Sequence, residues 1–486
     1  MDECERERNQ SQCAFAAREK QPFDVFVLSE AGKPIYSYRK REDIVTLLPL
    51  CQALCNYFYD TQNDYLRFIT TSGGLKITFC TKTPLILVVV THCLSGIDPN
   101  IVVNQVHSQI TSILTGRTLK NVFEQSPTFD LRRLLTGSEK MVDTLVEEGL
   151  LMNKATQCKQ IVTKDGLLVE CFLSFGLTSA AGHCRSNSAL NQSTSNIYQP
   201  KQRSHIRVMV PILLLQPSIR DSITNILLSS VTSNCSNILF SLLIQIKCNA
   251  NNSLPSGENF SNYLNTKLIT IINHNSKVNK LSPSDAQLLQ TLVIASENQL
   301  CSAESLWLPI CLPRFDSSAF MHAHISYLNA STQSTGNNMC LILLTTNRED
   351  FHKCQMVKES VRERLSKIQL TSPHLGDLNI PHLQVFWYQS LRSQSVFYRV
   401  SPQISVTKFN SLIHFMASRM LTSNLKSFWF RSDQHKITLL GWHSPTFQIY
   451  VQFDVTVTQS SCLSAAQSII KWIKNEEGKF VFKDYQ

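Results

Sequence analysis

The chain has 486 residues, of which 43% are hydrophobic and 17% charged, so it can bury the cores of about three average domains. A net charge of +10 permits contact with acidic surfaces but does not by itself indicate a nucleic-acid-binding protein, and we expect no nucleic-acid partner. The 16 cysteines include no CxxC pair, and the charged start MDECERERNQSQ is unlike a signal peptide. No apolar run approaches the roughly 18 residues of a membrane span. These features predict a cytoplasmic protein.

The first third of the chain predicts a mixed α/β unit. Two short strands joined by the turn AGKP are followed by a helix, three strands and a helix, with further helix near 138–150. The predicted strands are 25–30, 35–38, 65–71, 75–80 and 84–92, and the helices are 42–60 and 98–116.

The same order of elements returns twice. The second unit has predicted strands at 237–246, 266–274, 307–315, 319–328 and 339–346, and helices at 282–296 and 348–369. The third has predicted strands at 384–389, 394–400, 426–432, 437–443 and 447–454, and helices at 407–421 and 464–477. The fold class is therefore α/β (α+β), with three antiparallel sheets flanked by helices.

Polar segments separate these units. HCRSNSALNQSTSNIYQPKQRS (183–204) is rich in Ser, Asn and Gln, and a second polar stretch at 249–262 interrupts the second unit. The predicted division is a disordered segment 1–22, a first domain 23–152, a linker and insertion 153–205, a second domain 206–370, a linker 371–382 and a third domain 383–486.

Gly32-Lys33 resembles a phosphate-binding loop only superficially. Such a loop needs GxxxxGK[ST] between a strand and a helix. Here no glycine lies five residues before Gly32, Pro34 replaces the Ser or Thr, and another strand follows. The segment is predicted to be a turn.

No catalytic site, cofactor or metal site is predicted. His322 and His324 would lie on one face of a strand, as a metal-binding pair would, but no third ligand stands at suitable spacing. We expect both histidines to be structural. The chain also lacks GxSxG, and a catalytic Cys–His pair is indistinguishable from chance among 16 Cys and 13 His.

The helix predicted at 42–60 is apolar on two faces. Its inward stripe is Ile44, Leu47, Leu48, Cys51, Leu54, Cys55 and Phe58. Leu50, Ala53 and Tyr57 lie outside that stripe, so the helix is either sandwiched within its own domain or docked on a partner. Pro49 predicts a kink or a later start.

Long segments of the chain resemble the SAND family. They occur in all three units and are VFVLSEAGKPIYS, PLILVVVTH, FDLRRLLTGSE, WLPICLPRFDSSAFMHAHISYL, LILLTTNREDF and IIKWIKNEEGKFVF. The resemblance implies three longin domains. It also implies a heterodimer with a Ccz-type longin protein that acts as a guanine-nucleotide exchange factor for the late-endosomal and vacuolar Rab GTPase, recruited by phosphoinositide-rich, anionic membranes. It leaves open a third subunit.

The resemblance places the GTPase platform on the paired first longin domains, and we expect Leu50, Ala53 and Tyr57 to belong to that interface or to the partner interface. The basic excess suggests membrane-facing residues in the third unit, namely Arg419, Lys426, Lys471, Lys474 and Lys479. The implied location is cytoplasmic, at late endosome, lysosome or vacuole membranes. A longin-type trafficking adaptor or tether without exchange activity is the alternative function.

Overall fold

The structure is a computed structural model. It describes residues 23–38, 44–71, 75–92, 99–153, 210–247, 266–275, 279–302, 304–328, 337–368, 380–401, 404, 413, 416, 420, 425–433 and 436–477. The predicted N-terminal segment 1–22 and the stretches 183–204 and 249–262 lie outside these residues. The predicted linkers 153–205 and 371–382 also lie outside them, except at residues 153 and 380–382.

The first domain is a five-stranded antiparallel sheet covered by helices on both faces. Its elements are β1 Asp24–Ser29, β2 Pro34–Ser37, α1 Ile44–Gln62, β3 Phe68–Thr70, β4 Leu75–Lys82, β5 Leu85–His92, α2 Pro99–Leu114, α3 Gly116–Gln125, α4 Arg132–Leu135 and α5 Glu139–Asn153. The strand order is β2-β1-β5-β4-β3. β1 and β5 are continuous apolar runs because helices α2, α3 and α5 pack on one face and α1 on the other.

The second domain has the same core arrangement. Its elements are β7 Ile238–Lys247, β8 Thr266–Asn273, α7 Pro283–Ala295, α8 Glu297–Ser302, β9 Leu306–Leu312, β10 Asp316–Tyr327, β11 Asn337–Thr345 and α9 Phe351–Leu365, preceded by β6 Val210–Pro211 and α6 Pro217–Asn234. The sheet order is β8-β7-β11-β10-β9.

Helix α6 is not predicted by the sequence pattern. Its buried residues Ile223, Leu227 and Val231 have helical spacing, but they are separated by Ser, Thr and Asn, which have low helix propensity. Packing against the second sheet and α9 therefore stabilises this helix more than its local sequence does.

The third domain repeats the order again. Its elements are β12 Leu383–Ser390, β13 Ser395–Val400, β14 Ser427–Ser432, β15 Ile437–His443, β16 Phe447–Asp454 and α10 Gln459–Glu477. The strand order is β14-β15-β16-β12-β13, with β6 added beside β13. Within the helix predicted at 407–421, Ile413, Met416 and Met420 are helical and buried, and the other residues lie outside the described part. The predicted fold class, three mostly antiparallel sheets with helices, is confirmed.

A short segment joins the second and third sheets. Val210 and Ile212 donate backbone hydrogen bonds to Gln394 and Val396 beside the third sheet, each at 2.9 Å, and Leu213 donates to Leu268 of β8 at 2.8 Å. Helices α7 and α10 lie in one apolar core shared by both sheets. The second and third domains are therefore packed as one body.

The first domain packs on the second through helices. α2 lies against β9, and α5 lies against α7. Gln105 donates to Gln287 at 3.2 Å across this contact. As a result α7 is buried on nearly all sides.

Asp285 is a fully buried acidic residue near the start of α7. Its side chain is fully buried, and Oδ1 accepts from the Arg314 N–H at 3.2 Å. Desolvation raises the pKa of this carboxyl from 3.8 to about 6, against the lowering effect of its hydrogen bonds. The folded state therefore binds a proton more readily than the unfolded chain does.

We expect Asp285 to make the protein more stable in mild acid. Its contribution to the free energy of unfolding is fully present below about pH 4 and is lost as the pH rises through about 6. A pKa shift of about two units corresponds to a contribution of about 3 kcal/mol. Asp285→Asn removes this charge while keeping an acceptor for Arg314. The variant should be at least as stable as the wild type at neutral pH and should lack this pH dependence in denaturant titrations.

Asp316 provides a control of opposite sign. Hydrogen bonds from Ser318 lower the pKa of its exposed carboxyl, so its contribution is present at neutral pH and declines in acid. Identical pH profiles for the wild type and Asp285→Asn would contradict the assignment to Asp285.

Candidate functional site

Helix α1 is fixed to the first sheet by a narrow inward face. Cys51 and Cys55 are buried against β1, β4 and β5. Burial raises the pKa of both thiols, that of Cys55 to about 11, so these cysteines act as small apolar groups in this core. The apolar residues packed with them are Phe26, Leu28, Phe79, Ile86 and Val88.

The β1–β2 turn holds α1 in place. Gly32 N–H donates to the Ser29 carbonyl at 2.8 Å, and Ser29 N–H donates to the Lys33 carbonyl at 2.9 Å, so Gly32-Lys33 forms a turn between strands as predicted. The Gln52 side chain donates to the Glu30 carbonyl at 2.7 Å. Gly32 has φ +78°, and an added Cβ would lie 1.9 Å from Gln52 Oε1. The Gln52 side chain can therefore lie against the turn because residue 32 is glycine.

The outer face of α1 is exposed. Leu50 and Tyr57 are 57% and 62% exposed, and Ala53 is exposed with them. Of the two arrangements left open by the sequence, the described part of the chain does not sandwich this face. The helix at the same position in the second domain, α7, is covered by the rest of the chain, so α1 and α7 differ in what surrounds them.

Exposed aromatic residues continue from α1 towards β3. We call Tyr57, Phe58, Tyr59, Tyr65 and Phe68 the aromatic surface, and all five side chains are 37–62% exposed. The Tyr57 and Phe58 rings are 5.8 Å apart and perpendicular, and those of Tyr59 and Tyr65 are 5.2 Å apart. The expectation that Phe58 faces inward is wrong, because its side chain is 37% exposed and does not belong to the core that contains Cys51 and Cys55.

This region concentrates exposed apolar groups. Six of the eleven large hydrophobic residues that are exposed in the described part lie between Leu50 and Phe68. Such clusters mark interaction surfaces more often than single exposed residues do. Charged groups border the aromatic surface, with Lys76 Nζ 4.7 Å from the Phe68 ring centroid and Arg67 paired to Asp64 at 3.5 Å. The arrangement combines apolar contact with a charged rim.

The basic residues predicted to face a membrane are partly described. Lys426, Lys471 and Lys474 are exposed on the third domain, and Lys474 Nζ lies 5.2 Å from the Phe447 ring centroid. Arg419 and Lys479 lie outside the described residues. Whether any of them meets a membrane stays a prediction.

His322 and His324 lie on one face of β10, as predicted. Both rings contact Trp307, at centroid distances of 5.5 and 6.4 Å, and His324 Nε2 lies 3.1 Å from Gln355 Oε1. Burial lowers the pKa of His324 to about 4, so this ring is neutral at physiological pH. No group of three potential metal-binding side chains is found among the described residues.

Comparison with known proteins shows the family to which this chain belongs. Sequence models of the first, second and third longin domains of FUZ, MON1 and HPS1 match residues 24–145, 263–363 and 386–477, in that order. The chain belongs to this longin family. The aromatic surface lies within the first longin match, and Lys426, Lys471 and Lys474 lie within the third.

Relatives in this longin family align along nearly the whole chain. The vacuolar fusion protein MON1 homolog A of Gallus gallus is 28% identical over 94% of this chain and 71% of its own length. The Homo sapiens MON1 homolog A is 28% identical over 94% of this chain and 60% of its own length. Protein SAND of Takifugu rubripes is 27% identical over 94% of this chain and 75% of its own length. Among the described residues, no helix has the length and hydropathy to span a bilayer.

Sequence reasoning missed Tyr59, Tyr65 and Phe68. One signal was available, because Tyr57, Phe58 and Tyr59 are consecutive and a helix turns about 100° per residue, so all three cannot pack on one sheet. The contributions of Tyr65 and Phe68 depend on how the chain returns from α1 to β3, which periodicity does not show.

We expect Gly32→Ala to destabilise the first longin domain. The positive φ costs about 1–2 kcal/mol for a non-glycine residue, and the Gln52 side chain would also have to rotate away from the added Cβ and give up its hydrogen bond to Glu30. Gly137→Ala is the matched control, because Gly137 has φ +89° with no atom within 4 Å of the added Cβ. Thermal melting should show the larger loss for Gly32→Ala. Equal losses would mean that the close approach of Gln52 to the turn has no effect.

Proposed function

We propose that the chain is a subunit of a heterodimeric guanine-nucleotide exchange factor that acts on a late-endosomal or vacuolar Rab GTPase. Its membership of the longin family and its alignment with vacuolar fusion proteins support a role in vesicle trafficking and vacuole fusion. The observation that carries the proposal is the exposed α1 face together with the aromatic surface. Its location is the cytoplasmic side of late endosome, lysosome or vacuole membranes.

The contrast between α1 and α7 supports a partner on the first longin domain. α7 is buried because α5 and the third domain cover it, whereas the corresponding covering element is missing around α1 in the described chain. A Ccz-type longin protein would supply that cover in the heterodimer. The assembled pair would then present the GTPase platform.

Exchange of this kind requires no nucleophile or acid–base pair. An exchange factor accelerates nucleotide release by binding the nucleotide-free state of the GTPase more tightly than the nucleotide-bound state, so it shifts a population between two conformations. Rigid aromatic side chains suit this task, because they give large contact areas with few rotatable bonds. Tyr57 and Leu50 are held on a helix anchored by Cys51, Cys55 and Gln52, so their positions are fixed before the partner binds.

Membrane recruitment is a separate part of the proposal. Lys426, Lys471 and Lys474 give the third longin domain exposed positive charge suited to anionic or phosphoinositide lipids, and Arg419 and Lys479 belong to the same proposed set. A third subunit is compatible with the same assembly.

Replacing Leu50 and Tyr57 together by Asp tests the platform. Two charges at a dry contact should cost several kcal/mol of binding, so GDP release from a late-endosomal Rab should slow by at least about tenfold at fixed complex concentration. Melting should be little changed, because both side chains are exposed. Met356→Asp on α9 is a matched control, since Met356 is 58% exposed on the second domain.

Copurification, GDP release, melting and Rab binding together separate four outcomes. Loss of copurification with the Ccz-type protein would assign the face to the heterodimer, and loss of exchange with an intact heterodimer would assign it to the GTPase. Unchanged exchange with intact folding would contradict the platform. A wild-type complex that binds the Rab without releasing GDP would favour the adaptor or tether.

The double variant Lys471→Glu/Lys474→Glu tests the membrane surface. Each basic residue near an anionic surface contributes about 1 kcal/mol, so binding to phosphoinositide-containing vesicles should weaken by at least about tenfold and should fall steeply as salt rises. Lys120→Glu/Lys140→Glu on the first longin domain makes the same change in net charge at exposed sites. Equal weakening by both variants would mean that net charge, not this surface, governs vesicle binding.

A further inference from the structure

The ends of the three sheets are protected in different ways, with one exception. An exposed sheet edge presents unpaired N–H and C=O groups that pair readily with another strand. β2 contains Pro34 and lies beside a bulge, β3 has three residues, and β6 has two residues including Pro211. β8 is bridged by Ile212, and β9 contains Pro309 and is covered by α2.

β14 has none of these protections among the described residues. It is six residues long, contains no proline, and pairs with β15 in a regular register from Ser427 to Ser432. β15 is its one hydrogen-bonded strand neighbour in the described part of the third sheet. Leu425, just before the strand, is 41% exposed.

The ladder fixes which backbone groups of β14 point outward. His443 N–H donates to the Lys426 carbonyl at 2.8 Å, so residue 426 is in a hydrogen-bonded pair with β15. Hydrogen-bonded positions alternate along an antiparallel strand, so residues 428, 430 and 432 also face β15. The N–H and C=O groups of Ser427, Trp429 and Arg431 are therefore directed away from the sheet.

Packing on both faces holds this edge rigid. The Phe428 and Phe430 rings are parallel, 6.5 Å apart, and pack on the core that contains Met416 and Met420. Trp429 packs on the opposite face, on the core that contains α10. A strand that binds here would pair with an edge that is already ordered, so β14 would lose little conformational entropy on binding.

Positive charge flanks the open edge. Among the described residues of β14 and its flanks, 425–433 and 436, the exposed cations are Lys426, Arg431 and Lys436 and the acidic residue is Asp433, whose carboxylate lies 2.9 Å from Arg431 Nη2. Three cations against one anion favour an acidic strand over a basic one. Pairing with the same strand of a second copy would bring six cations together along one edge and is disfavoured for that reason.

We propose that the open edge of β14 binds an extended acidic segment of a partner protein by strand addition. The backbone groups of Ser427, Trp429 and Arg431 supply the ladder, and Lys426, Arg431 and Lys436 select acidic side chains on the added strand. This site lies on the third longin domain and is separate from the aromatic surface of the first.

Ser427→Pro tests the ladder. Its N–H points outward, so proline removes a donor and blocks the edge without breaking a bond to β15. Ser427→Ala is the matched control that keeps the N–H. The probe is a short fluorescein-labelled peptide that alternates valine with glutamate, and its affinity for the full chain is measured by anisotropy beside the melting temperature of each variant.

The wild type and Ser427→Ala should bind the probe saturably, and Ser427→Pro should weaken binding by about tenfold. Arg431→Glu should weaken it as well, whereas Lys120→Glu, an equal charge change at an exposed site on the first longin domain, should not. Amide exchange at Ser427, Trp429 and Arg431 in the wild type should slow when the probe binds, and this readout is independent of how the proline variant folds.

Three results would overturn the proposal. One is the absence of saturable peptide binding by the wild type, and loss of vesicle binding in Arg431→Glu would then assign the charge to a membrane. Another is equal binding of the peptide by Ser427→Pro and Ser427→Ala. The third is a concentration-dependent dimer of the wild type that Ser427→Pro abolishes, which would assign the edge to self-association.

Discussion

The need to cover both faces of each sheet organises this protein. The central strands of all three sheets are apolar on both sides, so every sheet needs a helical layer above and below it. The second and third sheets share α7 and α10 in one core, so the same helices cover a face of both sheets. The first sheet is covered by α2, α3 and α5 on one face and by α1 on the other.

This sharing of helices explains why the outer face of α1 on the first domain is left exposed. α7 occupies the position in the second domain that α1 occupies in the first, but the described chain covers α7 on nearly all sides and covers α1 on one side. The outward Leu50 and Tyr57, and the aromatic residues that follow, are thus exposed in the described chain, and we propose that a partner covers them. A longin protein that pairs through its first domain would cover α1 as the first and third domains cover α7.

The edges of the sheets, like their faces, differ in whether the chain itself covers them. In the part of the chain that the structure describes, five of the six sheet ends are short, contain proline, or are bridged or covered by the chain, and each of these features removes a site for unwanted pairing. β14 keeps a regular ladder position open beside a cluster of basic residues. An exposed apolar helix face and an open strand edge on separate domains would let a single chain hold two partners at once, by side-chain contact in one case and by backbone pairing in the other.

The sequence determined the repeated order of two strands, a helix, three strands and a helix, the turn at Gly32-Lys33 and the inward positions of Cys51 and Cys55, because periodicity and turn residues act locally. It did not determine α6, because the apolar residues of this helix are separated by Ser and Thr residues of low helix propensity. It also did not determine the outward position of Phe58. The difference between α1 and α7 was decided by tertiary structure alone. Both helices carry surplus apolar residues, and which of them is exposed depends on what packs against each one from elsewhere in the chain. The open edge of β14 has the same origin, since a strand's own residues do not specify how many neighbours it will have.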